Sequence, residues 1–422
     1  MAGHKLKNTL QLYSHQQKIV DEDKPIAGLF MGTGSGKTRT ALMLARGKVL
    51  VICPKTQKED KNWYREAEKI GGLNIHSLRV FSKEEFRRDH TALPAYDTVI
   101  VDEAHTCLGA TPNIRWKNRK PIPKTSQLFE ALEEFIARTK PSRLYLCTAT
   151  IIRSPFTVWA AARLLGKNWD FYKFRDAFYI RLPMPGREVF QAKSDSATKD
   201  KLAALVRELG YVGRLEDFFD VPEQTYKTDY LELTAKQKAR IKDMTTEFPD
   251  PLVRCGKINQ IENGVLAGDE FNEPEFFDNA KIDKILDYAI EFPRMVVFAK
   301  YRAQIEAIQQ ALTKAGYCTW TLTGDTKDRG GVIKQANELD GILICQAQIS
   351  AGWEVPQTPV MIFASRTYSF VDYQQSLGRI QRANNIKKNL YINLVVKGGV
   401  DEAVEKCLAN KQDFDSRIYM NI

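Results

Sequence analysis

The chain has 422 residues, too many for one ordinary domain and enough for two of about 200 residues, each with its own core. Hydrophobic residues (43%) and charged residues (27%) stand in the proportions of a soluble globular protein, and no apolar run approaches the roughly 18 residues of a spanning helix. Lys and Arg outnumber Asp and Glu by 62 to 52, a balance that suits a polyanionic partner and says nothing about fold. The seven cysteines are scattered without a Cys-x-x-Cys pair, several inside apolar runs, so they read as small core residues in a reducing compartment. The five histidines are equally dispersed, and a structural zinc site is not expected. Residues 1–11 are polar and lack the apolar centre of a signal peptide, which makes the cytoplasm the expected location.

In chain order, Leu12-Tyr13-Ser14-His15-Gln16 enters a polar helical segment, and the paired donor and acceptor of Gln16 suit an adenine edge. An apolar strand at 26–30 then meets Met31-Gly32-Thr33-Gly34-Ser35-Gly36-Lys37-Thr38 and a helical pattern at 39–45. That order of strand, glycine loop and helix is a phosphate-binding loop. Gly32, Gly34 and Gly36 let the backbone fold tightly and aim N–H groups at an anion, with Gly34, Ser35 and Gly36 as nucleotide contacts, while the helix presents its positive end. Lys37 suits the β- and γ-phosphates of ATP, and the Thr38 hydroxyl suits Mg²⁺. Met31 stands where the pattern usually opens with glycine.

A buried strand from 49 ends at Pro54-Lys55-Thr56, on the edge where open α/β sheets place ligands. The strand at 98–101 runs into Asp102-Glu103-Ala104-His105, two acids with two roles. Asp102 can hold Mg²⁺ through water, and Glu103 can position or deprotonate the attacking water. Between 111 and 126 lie Arg115, Lys117, Arg119, Lys120 and Lys124 with no acid, and Trp116 among them. Basic runs are ordinarily solvated loops, but an interleaved aromatic also suits phosphate contact and base stacking. The strand at 144–147 leads to Thr148-Ala149-Thr150. Residues 164–222, rich in aromatics, suggest helices packed on the first lobe without a further sheet, and the acids and prolines of 246–283 suggest a linker. Lobe 1 is thus expected over 1–245 and lobe 2 over 284–422. Lobe 2 has strands at 295–298, 318–322, 342–345, 360–363 and 390–396, and a helix at 301–315.

The motif series ends with Gln375-x-x-Gly378-Arg379-x-x-Arg382. On a helix, the two arginines would lie one turn apart and could both reach a γ-phosphate.

This succession resembles superfamily 2 helicases and translocases through nearly the whole chain, and its Swi/Snf-like branch in the stretches between. Lys124-Thr125-Ser126 with Phe129-Glu130-Ala131-Leu132, residues 214–222 followed by Leu233-Thr234-Ala235-Lys236-Gln237, and Gly324-Asp325-Thr326 carry that likeness. The resemblance implies an α/β fold of two RecA-like lobes with mainly parallel sheets, ATP and Mg²⁺ in the interlobe cleft, and nucleic acid across both lobes. It assigns Gln16 to adenine, Lys37 and Thr38 to phosphates and metal, Asp102 to metal, Glu103 to base catalysis, and Arg379 and Arg382 to the arginine fingers. Gly352, Glu354 and Gln375 join the nucleotide set. Backbone contacts fall to Pro54, Lys55 and Thr56 and to Lys300, Tyr301 and Ser350. Glu354 replaces the usual Asn or Asp, Ile151 the usual proline, and Ala149 the branch's glycine. The compact chain, without accessory modules, resembles phage or small prokaryotic members and is expected to be monomeric. Three functions follow: a translocase on DNA, double-stranded above all; a helicase separating DNA or RNA strands; or an ATP-dependent clamp.

Overall fold

The computed structural model describes residues 12–117, 119–184, 187–268, 273–349, 352–381, 388–410 and 414. The chain divides between Phe219 and Asp220 into two units. In the first, strands β1 (Ile26–Met31), β2 (Gly47–Cys53), β3 (Ile75–Ser82), β4 (Thr98–Asp102), β5 (Arg143–Cys147) and β6 (Gly210–Gly213) form one sheet in the order β6-β1-β5-β4-β2-β3. Every pairing is parallel. Helices cover both faces, so the central strands are apolar runs without polar alternation. Leu29 and Met31 pack into one layer with Ala41, Leu42 and Trp63, while Phe30 joins Phe129, Phe135 and Trp159 on the other side.

Because all six strands run the same way, the ends of β1, β4 and β5 share one edge. Register places Leu29 and Asp102 on either side of Cys147. The glycine loop, the acid pair and Thr148 therefore emerge side by side, at the edge where doubly wound sheets bind ligands.

The second unit repeats the plan with β7 (Thr225–Leu231), β8 (Met295–Ala299), β9 (Thr319–Leu322), β10 (Ile342–Gln346), β11 (Val360–Phe363) and β12 (Leu390–Val396). Its order is β7-β12-β11-β8-β10-β9, again all parallel. Val296 and Phe298 face one core layer; Met295, Val297 and Ala299 face the other. Both units are RecA-like α/β lobes.

Three expectations need correction. The second unit begins near residue 220, well before 284, because β7 pairs along its full length with β12, from Thr225–Leu390 to Leu231–Val396. Much of 246–283 is regular structure: Asp250 accepts from Leu252 N at 2.8 Å and caps helix Pro251–Glu262, and Asn279 caps Ala280–Glu291. Residues 164–222 do hold the expected helices, Phe171–Phe178 and Ser196–Leu209, but also a hairpin, Tyr179–Met184 with Arg187–Ala192, and the edge strand β6. A Cβ on Gly210 would fall 2.1 Å from Gly28 O, so glycine is what lets β6 close on β1. Five cysteines are buried as expected; Cys318 is exposed and Cys407 half-buried.

Candidate nucleotide and nucleic-acid site

The glycine loop takes the backbone its composition demands. Gly34 and Gly36 have φ of 83° and 84°, a region costly for side-chain-bearing residues. Gly36 precedes the first turn of helix Lys37–Leu44, and a Cβ there would lie 2.3 Å from Gln16 Nε2. Ser35 Oγ donates to Gly32 O at 2.8 Å, and Lys37 Nζ donates to Met31 O at 2.9 Å and Gly32 O at 3.0 Å. The ammonium thus lies over the loop, and Thr38 sits half-buried in the first turn beside it.

Gln16 is brought to this loop and bonds to it. It is fully buried; Oε1 accepts from Tyr13 N at 3.0 Å, and Nε2 donates to Gly36 O at 3.1 Å. Its carboxamide thus bonds within the protein, sharing Gly36 O with Thr40 N, which donates at 3.0 Å. A residue not anticipated from the sequence shares the work. His15 Nε2 lies 2.9 Å from Ser35 O, and its ring stacks on Phe218 at 4.1 Å. Only its place beside Gln16 could have drawn notice to it.

Asp102 ends β4, buried, and Oδ1 accepts from Glu103 N at 2.9 Å. Burial first, and then the Glu103 charge, raise its carboxyl above the ordinary range, while Lys83 and Lys37 pull it down. Glu103 has φ 44°, a left-handed backbone that costs a non-glycine residue about 1–3 kcal/mol. Three donors converge on its carbonyl: Thr106 N at 3.1 Å, Thr106 Oγ1 at 2.9 Å and Lys83 Nζ at 2.9 Å. Glu103 Oε2 is buried, lacks a well-formed hydrogen bond, and lies 3.4 Å from His105 Nδ1. His105 Nδ1 in turn contacts Thr148 Oγ1 at 2.8 Å, and burial holds this histidine down to about 4. The glycine cradle, the hydroxyl of Thr38, the carboxyl of Asp102 and the unpartnered Glu103 oxygen fit a magnesium nucleotide and an attacking water.

Pro54, Lys55 and Thr56 follow β2; Pro54 precedes helix Lys55–Glu59, and Lys55 is exposed. Arg115, Trp116 and Lys117 lie on an antiparallel hairpin, Ala110–Lys117 with Lys120–Thr125. Arg115 is committed to Glu130 at 2.6 Å, which fastens the hairpin to helix Gln127–Thr139; Trp116 is 70% exposed and Lys117 is exposed.

In the second unit, Lys300 follows β8 with its Nζ 3.3 Å from the Tyr368 ring centroid and 5.3 Å from that of Tyr301. Tyr301 donates to Asn259 Oδ1 at 2.7 Å. Behind them Lys281, nine-tenths or more buried, donates to Asn263 Oδ1 and Ala364 O, each at 2.7 Å, and pairs with Asp401. Gly352 has φ 88°, Glu354 is exposed, and Gln375 is buried on helix Phe370–Leu377. Arg379 lies just beyond this helix. The helix ends at Gly378, and the buried Arg379 donates to Gln375 O at 2.9 Å and Trp353 O at 2.7 Å. Its guanidinium ties the helix end to the Gly352–Val355 turn, since carbonyls freed at the helix terminus need donors. Ser350 and Arg382 lie outside the described residues.

The family described as Helicase conserved C-terminal domain matches residues 280–384. A Methanocaldococcus jannaschii protein provisionally named an ATP-dependent RNA helicase is 24% identical over 192 residues, 42% of this chain and 23% of that protein. The chain therefore spans about a quarter of the length of the curated relative it matches. A solved Sulfolobus solfataricus SWI2/SNF2 ATPase core in complex with double-stranded DNA is similar over 98% of this chain and 93% of its own, at 17% identity and a TM-score of 0.40.

Proposed function

We propose that this chain, a superfamily 2 helicase/translocase, is a nucleic-acid-dependent ATPase that moves on DNA, double-stranded above all, in the manner of the Swi/Snf-like branch. One observation carries the ATPase part: the left-handed glycine loop and Lys37 after β1, and Asp102 and Glu103 at the end of β4, flank β5 on a single sheet edge. Lys37 and the loop amides hold the phosphates, Thr38 and Asp102 hold Mg²⁺, and Glu103 takes the proton of the attacking water. The metal, when bound, neutralises charge on the transferring phosphoryl group. Arg382 is assigned to the same charge; Arg379 acts by shaping its own unit. The choice of duplex DNA rests on the Swi/Snf-like stretches at 124–132, 214–222 and 233–237.

Strand separation is the second reading, favoured by Trp116, whose exposed indole suits an unpaired base better than a duplex backbone. ATP turnover should be measured with duplex DNA, single-stranded DNA and RNA, beside triplex displacement and fork unwinding. Stimulation by duplex with triplex displacement supports translocation; fork unwinding supports the second reading. Turnover indifferent to all three polymers would overturn both.

A further inference from the structure

Resting on that reading of Glu103, we propose that Lys83 is a positioning residue for this acid, and that helix Lys83–Asp89 couples nucleic-acid contact at helix Lys55–Glu59 to it. Lys83 is 7% exposed, and a buried ammonium persists only where its partners repay its desolvation. Those partners are all in the acid box: Glu103 O at 2.9 Å and the Thr106 hydroxyl, which itself donates to Glu103 O at 2.9 Å. The three groups close a triangle around the one residue of the site that holds a left-handed backbone without being glycine. A carbonyl gripped from two sides fixes the peptide orientation, and with it the direction in which the Glu103 carboxylate leaves the chain.

The same helical turn reaches the other way. Ser82 caps the helix, accepting from Glu85 N at 3.2 Å, and Glu85 Oε2 accepts from Ser82 N at 2.8 Å. Both Glu85 oxygens also accept from Lys58 Nζ at 2.5 Å. Lys58 belongs to helix Lys55–Glu59, directly after Pro54 on the ligand edge of the sheet. Phe86, fully buried and edge-to-face with Phe135 at 5.4 Å, anchors the helix in the core, so Lys83 and Glu85 move as one turn. A nucleic-acid phosphate arriving at Lys55–Glu59 competes with Glu85 for the half-exposed Lys58 ammonium. Release of that pair frees the turn whose first residue holds Glu103. Polymer binding thereby reaches the catalytic base within a single unit.

The test uses the full chain and four proteins: wild type, Lys83→Met, Lys83→Arg and Glu85→Gln. ATP turnover is followed with and without duplex DNA, and affinity for a fluorescent ATP analogue is measured separately. Displacement of a general base by about an ångström costs roughly 10²-fold in rate. Lys83→Met should therefore lose about 10²-fold in kcat with KM and analogue affinity within about twofold of wild type, and Lys83→Arg should recover much of the loss. Glu85→Gln should keep its DNA-saturated kcat while the ratio of stimulated to basal turnover shrinks by about fivefold or more. Wild-type kcat in Lys83→Met, or its loss together with analogue binding, overturns the positioning role. An unchanged stimulation ratio in Glu85→Gln overturns the coupling, and this variant decides the matter if Lys83→Met does not fold. Failure of the underlying reading appears in the wild type alone, as turnover that duplex DNA, single-stranded DNA and RNA, each added in the same assay, all leave unchanged.

Discussion

His105 and Thr148 meet at 2.8 Å, joining the acid box at the end of β4 to the threonine triplet at the end of β5. Burial keeps the imidazole uncharged, bringing it down to about 4 against the opposing pull of Glu103. Below the ordinary histidine range near 6.5, an unfolded chain takes up a proton that the folded one refuses. Stability from this group is therefore complete above about pH 6.5 and declines as pH falls toward 4, by up to about 3 kcal/mol. Burial lowers His15 as well and acts in the same direction. Urea midpoints taken between pH 7.5 and 5 should fall, and fall less in His105→Asn. Parallel curves for the two proteins would remove His105 from the account.

Replacing Glu103 with Gln keeps size and hydrogen bonding and removes the base. Turnover with saturating DNA should drop by about 10²- to 10⁴-fold while nucleotide binding persists. The left-handed backbone of residue 103 is held through its carbonyl, so the substitution leaves the grip of Lys83 and Thr106 in place. Full ATPase activity in this variant would sink the assignment of Glu103.

What was legible in the sequence followed from local chemistry. Continuous apolar runs announced β1, β2, β4 and β5 and the strands β8 to β12, because parallel strands covered on both faces need no polar alternation. Glycine spacing announced the phosphate loop, and strand-end acids announced Asp102 and Glu103. β3 escaped because Ile75–Ser82 is half-solvated and mixed in polarity, and β7 because its edge position leaves Tyr226 and Tyr230 exposed. Lys83, His15 and Phe218 escaped for another reason: each acts through a partner about 20 residues or more away in sequence, which no local pattern encodes. The bonds of Arg379 to Gln375 O and Trp353 O were not legible because a sequence motif fixes neither where a helix stops nor which way a side chain turns beyond it.

Arg379→Ala separates an architectural arginine from one that acts on nucleotide alone. The change strips donors from the carbonyls of Trp353 and Gln375 in a buried setting, at a cost of about 1–3 kcal/mol. For a unit of this size each kcal/mol corresponds to about 2–4 °C, so calorimetry should show the second unit melting several degrees lower. An unshifted melting temperature with depressed turnover would instead return Arg379 to the nucleotide.

Trp116→Ala should leave stability unchanged, since its ring is 70% exposed, and should weaken single-stranded DNA binding by about 1–3 kcal/mol if a base stacks there. Lys117→Ala should instead lower the salt dependence of binding by about one phosphate contact, with little preference for strandedness. Titrations across salt concentrations distinguish the two. Equal single-strand affinity in wild type and Trp116→Ala would rule out stacking and reduce the hairpin to a charged surface.

If Lys300 meets a phosphate, as proposed, binding by the second unit should depend on pH. Burial between Tyr301 and Tyr368 brings its ammonium down to about 8, with Asp401 and Cys255 acting the other way. Cys255, which burial pushes up to about 11, and both tyrosines, raised further by burial, titrate above that range, while Glu262, raised to about 7 by burial and then by Asp401, titrates just below it and gains its charge over the same rise in pH. As pH rises through 8, Lys300 loses the charge that would meet a phosphate, and DNA affinity should fall by about 1.5 kcal/mol, roughly tenfold. Folding stability should move the opposite way, because the folded chain releases this proton at about 8 and the unfolded chain keeps it to about 10.5. Lys300→Arg stays charged throughout and should lose much less DNA affinity than wild type between pH 7 and pH 9, the remainder belonging to Glu262. A wild-type affinity that is flat over that window, or one that tracks stability upward, would show that Lys300 does not touch the polymer.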